Sequence, residues 1–273
     1  MLIAQITDFH IKPRGKIAYR VVDTAACLGN AVAAVAALHP APDIIVATGD
    51  LTDFGRPEEY ELLRELLAPL GKPIYLIPGN HDEREALRQA FRGDGYFPAN
   101  GFLNYAVEDQ PLRLVALDTM IPGDPGGRVA DESLQWLDRT LAAKPDRPTV
   151  VIMHHPPFVT GIAHMDRVGL KNIDAVAAAL ARHPQVERVL CGHLHRSIQA
   201  RVGGHAIAST APSTAHQTAL DLSANGPSVF TLEPPGYQLH LWRPTTGIVS
   251  HTGVVGRFAG PYPFYEDGAQ IDD

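Results

Sequence analysis

Cysteine is scarce in this sequence: only Cys27 and Cys191 occur among 273 residues. Neither belongs to a C-x-x-C pair, so the sequence does not indicate a thiolate metal site. The two could form one disulfide, but Cys191 ends the hydrophobic segment VERVLC, where a buried free thiol is the simpler interpretation. We therefore predict a protein of a reducing, cytoplasmic compartment.

Long hydrophobic segments and an excess of positive charge are also lacking. The longest membrane candidate, residues 25–38, is too short to span a bilayer and is interrupted by Gly29 and Asn30. The N-terminal segment MLIAQITDFH has no signal-peptide features and is predicted to be a strand. The net charge of −7 argues against an extended grip on a nucleic acid polymer. It still permits a small anionic substrate, because bound metal ions supply local positive charge.

The sequence is rich in alternating strand and helix patterns over its first two thirds. Apolar or β-branched segments at 2–7, 44–48, 73–77, 149–153 and 186–191 predict strands, and apolar residues at helical spacing in 23–38, 131–141 and 173–181 predict helices. This alternation predicts an α/β sheet covered by helices. From residue 197 onward strand patterns dominate, which indicates either a small β subdomain or further strands of the same sheet.

Five polar clusters each follow directly after a predicted strand. They are ITDFH, ATGDLTD, IPGNHDE, VIMHHPP and LCGHLH. Ligands of open α/β sheets bind beyond the carboxyl ends of the strands, so these clusters are expected to meet at one edge. The candidate ligands in them are Asp8, His10, Asp50, Asn80, His154, His193 and His195.

The residue types of the clusters specify a class of metal. Imidazole and carboxylate ligands without thiolate suit Mn, Fe, Co, Ni or Zn. Seven ligands exceed what one tetrahedral ion needs, but they suit two divalent ions that share a carboxylate. Asp50 is the expected bridging ligand, since Gly49 allows a close approach of the backbone.

Each cluster also has an ordinary structural explanation. Asn80 could cap a helix, a Gly-Asp pair is a common turn, and one of His154 and His155 could simply be buried at a strand end. The Gly-His-x-His segment at 192–195 is more specific, because two imidazoles on a short turn reach a shared site. The five clusters in this order at five strand ends favour the metal site.

The ordered set D-x-H, GD, GNHD, H and GH-x-H over residues 8–195 resembles the calcineurin-like metallophosphoesterase superfamily. The resemblance implies that two divalent ions (Fe, Mn, Zn or Co) are bound. It places Asp8, His10, Asp50 and His195 on one ion, and Asp50, Asn80, His154 and His193 on the other. It also places His81 beside the reacting phosphate as a non-ligand histidine.

Further segments narrow the resemblance to bacterial glycerophosphodiesterases and class III cyclic-nucleotide phosphodiesterases. They are GRPEEY, YLIPGNHD, MHHPP, AHQ at 215–217 and AGP at 259–261. The implied fold is a four-layer α/β/β/α sandwich with a small C-terminal β-rich dimerisation unit, in a homo-oligomer. On this basis residues 1–196 are expected to form the catalytic domain, 197–255 a β-rich cap or dimerisation segment, and 256–273 a tail that packs on the catalytic domain. The tail aromatics could instead lie at a subunit contact: Phe258, Tyr262, Phe264 and Tyr265.

The expected activity is hydrolysis of small phosphate diesters by a hydroxide that bridges the metals. Two divalent ions with Asp8, Asp50 and hydroxide leave one positive charge, which matches a diester monoanion better than a monoester dianion. His81 is expected to contact a phosphoryl oxygen or to protonate the leaving group. Asn80, His155 and His216 are substrate-binding candidates, although His155 and His216 could equally be structural. The rivals are a 3′,5′-cyclic AMP phosphodiesterase, a non-catalytic metal-binding protein and, against the acidic charge, a nuclease.

Overall fold

The computed structural model describes residues 1–271. Its α-helices are α1 (Thr24–Ala36), α2 (Pro57–Leu67), α3 (Arg84–Ala90), α4 (Asp131–Ala142), α5 (Ala163–Asp166) and α6 (Ile173–Ala181). The strands of its first half are β1 (Leu2–Ile6), β2 (Ile44–Ala47), β3 (Ile74–Leu76), β4 (Tyr105–Val107), β5 (Arg113–Leu117), β6 (Met120–Ile121) and β7 (Asp124–Gly127). Those of the second half are β8 (Thr149–Met153), β9 (Val186–Cys191), β10 (Ile198–Val202), β11 (Ala206–Thr210), β12 (Gln217–Thr218), β13 (Phe230–Thr231), β14 (Gly236–Arg243), β15 (Gly247–Val254), β16 (Tyr265–Glu266) and β17 (Ala269–Gln270).

Two mixed sheets form the centre of the molecule. The first has the strand order β15-β14-β1-β2-β3, and the second has the order β10-β11-β9-β8-β5-β4. Strands β1, β2 and β3 are parallel, as are β5, β8, β9 and β11. The carboxyl ends of the parallel strands carry the loops in which the polar clusters of the sequence lie.

Both faces of each sheet are buried, which produces four layers. Along β2, Ile44 and Val46 pack between the sheets, whereas Ile45 and Ala47 pack against α1 and α2. Along β8, Ile152 packs between the sheets while its neighbours pack against α4 and α6. Because side chains alternate along a strand, this pattern defines an α/β/β/α sandwich, and the expected fold class is confirmed.

Of the described strands after residue 197, β10, β11, β14 and β15 extend the two central sheets, whereas β12–β13 and β16–β17 form separate pairs. Strands β10 and β11 lie beside β9 in the second sheet, and β14 pairs antiparallel with β1 in the first. The edge strand β15 was not singled out from the sequence, because its segment GIVSHTGV mixes polar and apolar residues irregularly. The division at 196 and 255 stays a prediction.

The C-terminal tail ends in the short β16–β17 hairpin. Its four aromatic rings are between 63% and 83% exposed: Phe258, Tyr262, Phe264 and Tyr265. A subunit contact through them stays a prediction. Both cysteines are free, and no helix within residues 1–271 has the length and apolar character of a bilayer span.

Candidate metal centre

The seven predicted ligands meet at one edge of the sandwich. Asp8 follows β1, Asp50 follows β2 and Asn80 follows β3, while the histidines of the second sheet follow β8 and β9. Six of the seven are buried and Asn80 is partly buried. Residues from both sheets therefore form one cluster. The polar clusters meet at one edge, as we expected from their positions directly after the predicted strands.

Backbone strain is concentrated in this cluster. Five of the seven residues are in the left-handed conformation although none is glycine: Asp8 (φ 54°), His10 (49°), Asp50 (48°), His193 (71°) and His195 (50°). Such conformations cost about 1–3 kcal/mol each and persist where the surroundings enforce them, most often at functional sites. The side-chain positions here are held at a cost in stability.

One group of possible ligand atoms lies around the side-chain oxygen of Asn80. His154 Nδ1 donates a hydrogen bond to Thr48 O at 2.7 Å, and His193 Nε2 donates to Val168 O at 3.0 Å. A carbonyl oxygen can only accept a hydrogen bond, so the bonded nitrogen of each ring carries the proton. The other nitrogen of each neutral ring therefore carries a lone pair. These two lone pairs lie 3.2 and 3.1 Å from Asn80 Oδ1. Acceptors that face one another without a proton between them fit a cation.

A second group lies on the other side of Asp50. His195 Nδ1 donates to His216 O at 2.8 Å, so the lone pair of this ring is on Nε2. This Nε2 lies 3.1 Å from His10 Nε2 and 3.6 Å from Asp8 Oδ1. Asp50 reaches both groups, with Oδ2 3.7 Å from His10 Nε2 and Oδ1 3.4 Å from His154 Nε2. Ligand atoms of Asp8, His10, Asp50 and His195 all lie within 4.8 Å of one another.

The pKa shifts within the cluster indicate that positive charge beside Asp50 is favourable. Burial alone would raise the pKa of Asp50, but His154, His81 and His10 hold it well below its ordinary value. Burial alone would lower the pKa of His154, but the Asp50 carboxylate outweighs it and raises it to about 9, so without a cation beside Asp50 the Nε2 of this ring takes up a proton in place of its lone pair. Burial lowers the pKa of His195 to about 3, so this ring stays neutral.

The backbone approach to Asp50 depends on glycine. A Cβ on Gly79 would collide with Asp50 Oδ1 and Asp50 N, and one on Gly192 would lie 2.6 Å from Thr48 O and 3.1 Å from Asp8 Oδ2. These contacts leave no space for a side chain. The glycines before Asn80 and His193 thus allow the close approach of the backbone segments around Asp50 and Asp8.

Asp82 has a role that the sequence did not reveal. Its buried carboxylate accepts hydrogen bonds from Leu51 N, Thr52 N and Gly79 N at 3.0, 3.1 and 2.8 Å, and from the Thr52 and Tyr60 hydroxyls. It joins the loop after β2 to the loop after β3. The only sequence indication was its place in the GNHD segment, which also suits a solvated residue.

His81 lies at the mouth of the cluster. Its backbone N–H donates to Asp50 Oδ1 at 3.0 Å, and its Nδ1 donates to Asp53 O at 3.0 Å. Among the described residues Nε2 has no hydrogen-bond partner, and a third of the side chain is exposed. His81 also lines a groove of about 450 Å³ whose other wall includes Phe54, Met120 and Pro122.

The two remaining histidine candidates differ in their surroundings. His155 is fully buried behind His154, with Nδ1 2.8 Å from the Thr119 hydroxyl and Nε2 3.2 Å from Pro125 O. Both of its nitrogens are therefore engaged, which favours the structural alternative for this residue. His216 lies beside the cluster, with its ring 5.4 Å from that of His10, and its buried Nδ1 has no partner among residues 1–271.

The comparisons with known proteins agree with this fold and cluster. The family model described as calcineurin-like phosphoesterase matches residues 1–197, and the chain belongs to that family. Members of this family use divalent metal ions, and the clustered His and Asp side chains provide the site for them. A zebrafish (Danio rerio) dimetal phosphatase structure superposes with a TM-score of 0.62 at 17% identity, covering 94% of this chain and 99% of that one, which supports the fold alone.

Two curated relatives are similar over most of the chain. An Arcobacter nitrofigilis protein named "Probable glycerophosphodiester phosphodiesterase GpdQ" is 40% identical over 100% of both chains. The 3′,5′-cyclic adenosine monophosphate phosphodiesterase CpdA of Pseudomonas aeruginosa is 35% identical over 87% of this chain and 84% of its own. The chain is thus similar to phosphodiesterases of both groups that the sequence segments resembled.

Proposed function

We propose that this protein hydrolyses small phosphate diesters of the glycerophosphodiester type with two divalent metal ions on either side of Asp50. The observation that carries the proposal is the pair of ligand groups that share this carboxylate. Asp8, His10 and His195 would hold one ion, and Asn80, His154 and His193 the other, with Fe, Mn, Zn or Co as candidates. Such ions lower the pKa of a water molecule and offset charge on phosphoryl oxygens.

His81 is the proposed proton donor. Its Nδ1 is fixed by Asp53 O, which leaves Nε2 without a partner among the described residues, in a side chain that lines the groove. When the ring carries a proton on both nitrogens, its Nε2 can donate to a phosphoryl oxygen or to the departing alkoxide while Nδ1 keeps its hydrogen bond to Asp53 O. His216, on the opposite side of His10, is proposed as a further substrate contact, whereas His155 is proposed to support His154 from behind.

The net charge of the proposed metal site and the names of the relatives both favour a diester over a monoester as the substrate. Two divalent ions, Asp8, Asp50 and a hydroxide sum to one positive charge, which a diester monoanion balances. The relative that matches over its full length is named for glycerophosphodiesters. The groove beside His81 offers room for one of the two alcohol groups. We further propose a cytoplasmic homo-oligomer, consistent with the free cysteines and the exposed aromatic tail.

A substrate panel tests the proposal. Metal-loaded protein is assayed with glycerophosphocholine, cyclic AMP, bis(p-nitrophenyl) phosphate and p-nitrophenyl phosphate, with element analysis of the same sample. We expect two metal ions per chain and efficient cleavage of glycerophosphocholine and the aryl diester. Efficient cleavage of cyclic AMP alone would instead identify a cyclic-nucleotide phosphodiesterase. Loaded protein without any turnover would identify a non-catalytic metal-binding protein.

A further inference from the structure

Gln5 is a buried amide between the two sheets, directly below the metal cluster. It lies on β1, the middle strand of the first sheet, and its side chain is fully buried. Side chains alternate along a strand, so Gln5 shares with Ile3 the face that packs against the second sheet. Amides are seldom placed in such a layer, because every polar atom there needs a partner.

All polar atoms of the Gln5 side chain are satisfied. Nε2 donates to Thr48 Oγ1 at 3.0 Å and to Cys191 O at 2.8 Å, and Oε1 accepts from His240 Nε2 at 3.0 Å. The Cys191 carbonyl fixes the orientation of the amide, because a flipped amide would place two acceptors together. His240 in turn accepts at Nδ1 from the Ser250 hydroxyl at 2.7 Å.

The two acceptors of Gln5 precede metal-cluster loops from different sheets. Thr48 leads into Gly49 and Asp50 after β2, and Cys191 leads into Gly192 and His193 after β9. The Thr48 carbonyl also accepts the hydrogen bond that orients His154. One side chain therefore connects the strand ends that carry the shared carboxylate and the histidine groups.

From these contacts we infer that Gln5 is a positioning residue that sets the spacing between the Asp50 loop and the His193 loop. This inference rests on the proposed metal centre. Ligand positions must be correct to about 0.2 Å for tight binding, and residues that orient ligands typically change metal affinity by about 10–100-fold when replaced. Loss of the Gln5 bridge would leave the chain folded but the ligands of the two sheets poorly spaced.

The chain offers a matched control in Gln238. This residue is the cross-strand partner of Gln5 on β14, is equally buried and also bridges the sheets, with Nε2 3.1 Å from Ser197 Oγ and 3.2 Å from Thr210 O. Ser197 lies two residues after the predicted ligand His195, but neither Thr210 nor β14 is followed by a predicted ligand, so Gln238 joins no two ligand loops. Gln5→Met and Gln238→Met thus each remove a buried amide whose Nε2 bridges the sheets, although Oε1 of Gln238, unlike that of Gln5, has no partner among the described residues. Only the first variant removes a link between two ligand loops.

The test titrates Co²⁺ into the metal-free full chain and follows visible absorption, with the urea midpoint of the metal-free chain measured in parallel. We expect both variants to lower the urea midpoint, while only Gln5→Met weakens Co²⁺ binding, by about 10–100-fold, and changes the absorption spectrum. At saturating Co²⁺ the kcat of Gln5→Met for bis(p-nitrophenyl) phosphate should fall with little change in KM. Wild-type affinity and spectrum in Gln5→Met, or an equal loss in Gln238→Met, would overturn the inference.

A milder variant covers the case in which Gln5→Met does not fold. Thr48→Val keeps the shape of the side chain but removes one acceptor of the Gln5 amide, and should weaken Co²⁺ binding by about threefold to tenfold. Unchanged binding in Thr48→Val would then count against the inference. If the wild-type chain itself bound no Co²⁺, the proposed metal centre would fail, and that outcome is distinct from a wild-type result in the variants.

Discussion

Gly79→Ala is the change that most selectively displaces Asp50. The new Cβ would collide with Asp50 N and Oδ1 and lie 2.8 Å from Asp50 Cγ. Ordinary contact begins at 3.4 Å, so Asp50 Cγ must retreat by at least about 0.6 Å and Oδ1 and the backbone N by more, which is at least three times the tolerance of about 0.2 Å for a metal ligand. No ligand is removed by this change; only the position of the shared one is altered.

We expect Gly79→Ala to lose bound metal while the chain remains folded. Overpacking of this kind costs about 1–3 kcal/mol of folding free energy, which most domains survive. We expect Gly79→Ala to bind less than one metal ion per chain and to have a kcat/KM at least about 100-fold lower for the aryl diester. Element analysis, a diester assay and a urea midpoint on one preparation give all three values.

Gly29→Ala is the matched control for this change. Gly29 lies within α1 and a Cβ there has nothing within 4 Å, so alanine should raise stability by up to about 1 kcal/mol and leave metal binding unaltered. Wild-type metal content and wild-type rate in Gly79→Ala would refute the reasoning, because the shared carboxylate would then tolerate a displacement that two bound ions do not permit.

Three further changes test other parts of the account. Asn80→Ala removes the oxygen between two histidine lone pairs, so it should weaken one metal at least about tenfold and lower the rate more than the stability; unchanged metal content would mean that Asn80 is not a ligand. His81→Ala keeps the backbone hydrogen bond to Asp50, so both metals should stay while the rate falls by about 10²–10⁴-fold; loss of a metal would contradict the assignment. Glu108→Gln should lower the melting temperature at pH 7, and by less at pH 3. Burial raises the pKa of Glu108, but Arg113 and Lys144 outweigh it and lower the pKa below 4.5, so its contribution is present above that pH and is lost as pH falls through the folded value. An equal difference between variant and wild type at both pH values would exclude this explanation.

The strand ends and the residues that follow them were predictable from the sequence. Apolar segments such as IIVA and TVVIM are typical of buried parallel strands, and parallel strands present their carboxyl ends at one edge. That rule brings together the residues that follow the strands of one sheet. The meeting of Asp50 with His193, which follow strands of different sheets, also needs the two-sheet sandwich that the family resemblance implied. The ligand set itself, which was predicted from these clusters and the family resemblance, awaits the metal-binding experiments.

The supporting contacts could not be predicted, because they depend on distant backbone atoms. The orientation of His195 is set by the carbonyl of His216 and that of His193 by the carbonyl of Val168, and no residue type indicates in advance which backbone carbonyl will accept such a hydrogen bond. Gln5 appears in the sequence as one polar residue inside an apolar strand. Its partners on β9 and β14 emerge only from the sheet order, which the periodicity of one segment does not contain.

The presence of two ions around Asp50 is measured most directly by anomalous diffraction from crystals of the full chain soaked in Mn²⁺. The account predicts two anomalous peaks about 3.5–4 Å apart, with the Asp50 carboxylate between them. One peak should contact Asp8, His10 and His195, and the other Asn80, His154 and His193. A single peak, or two peaks that do not share Asp50, would contradict it.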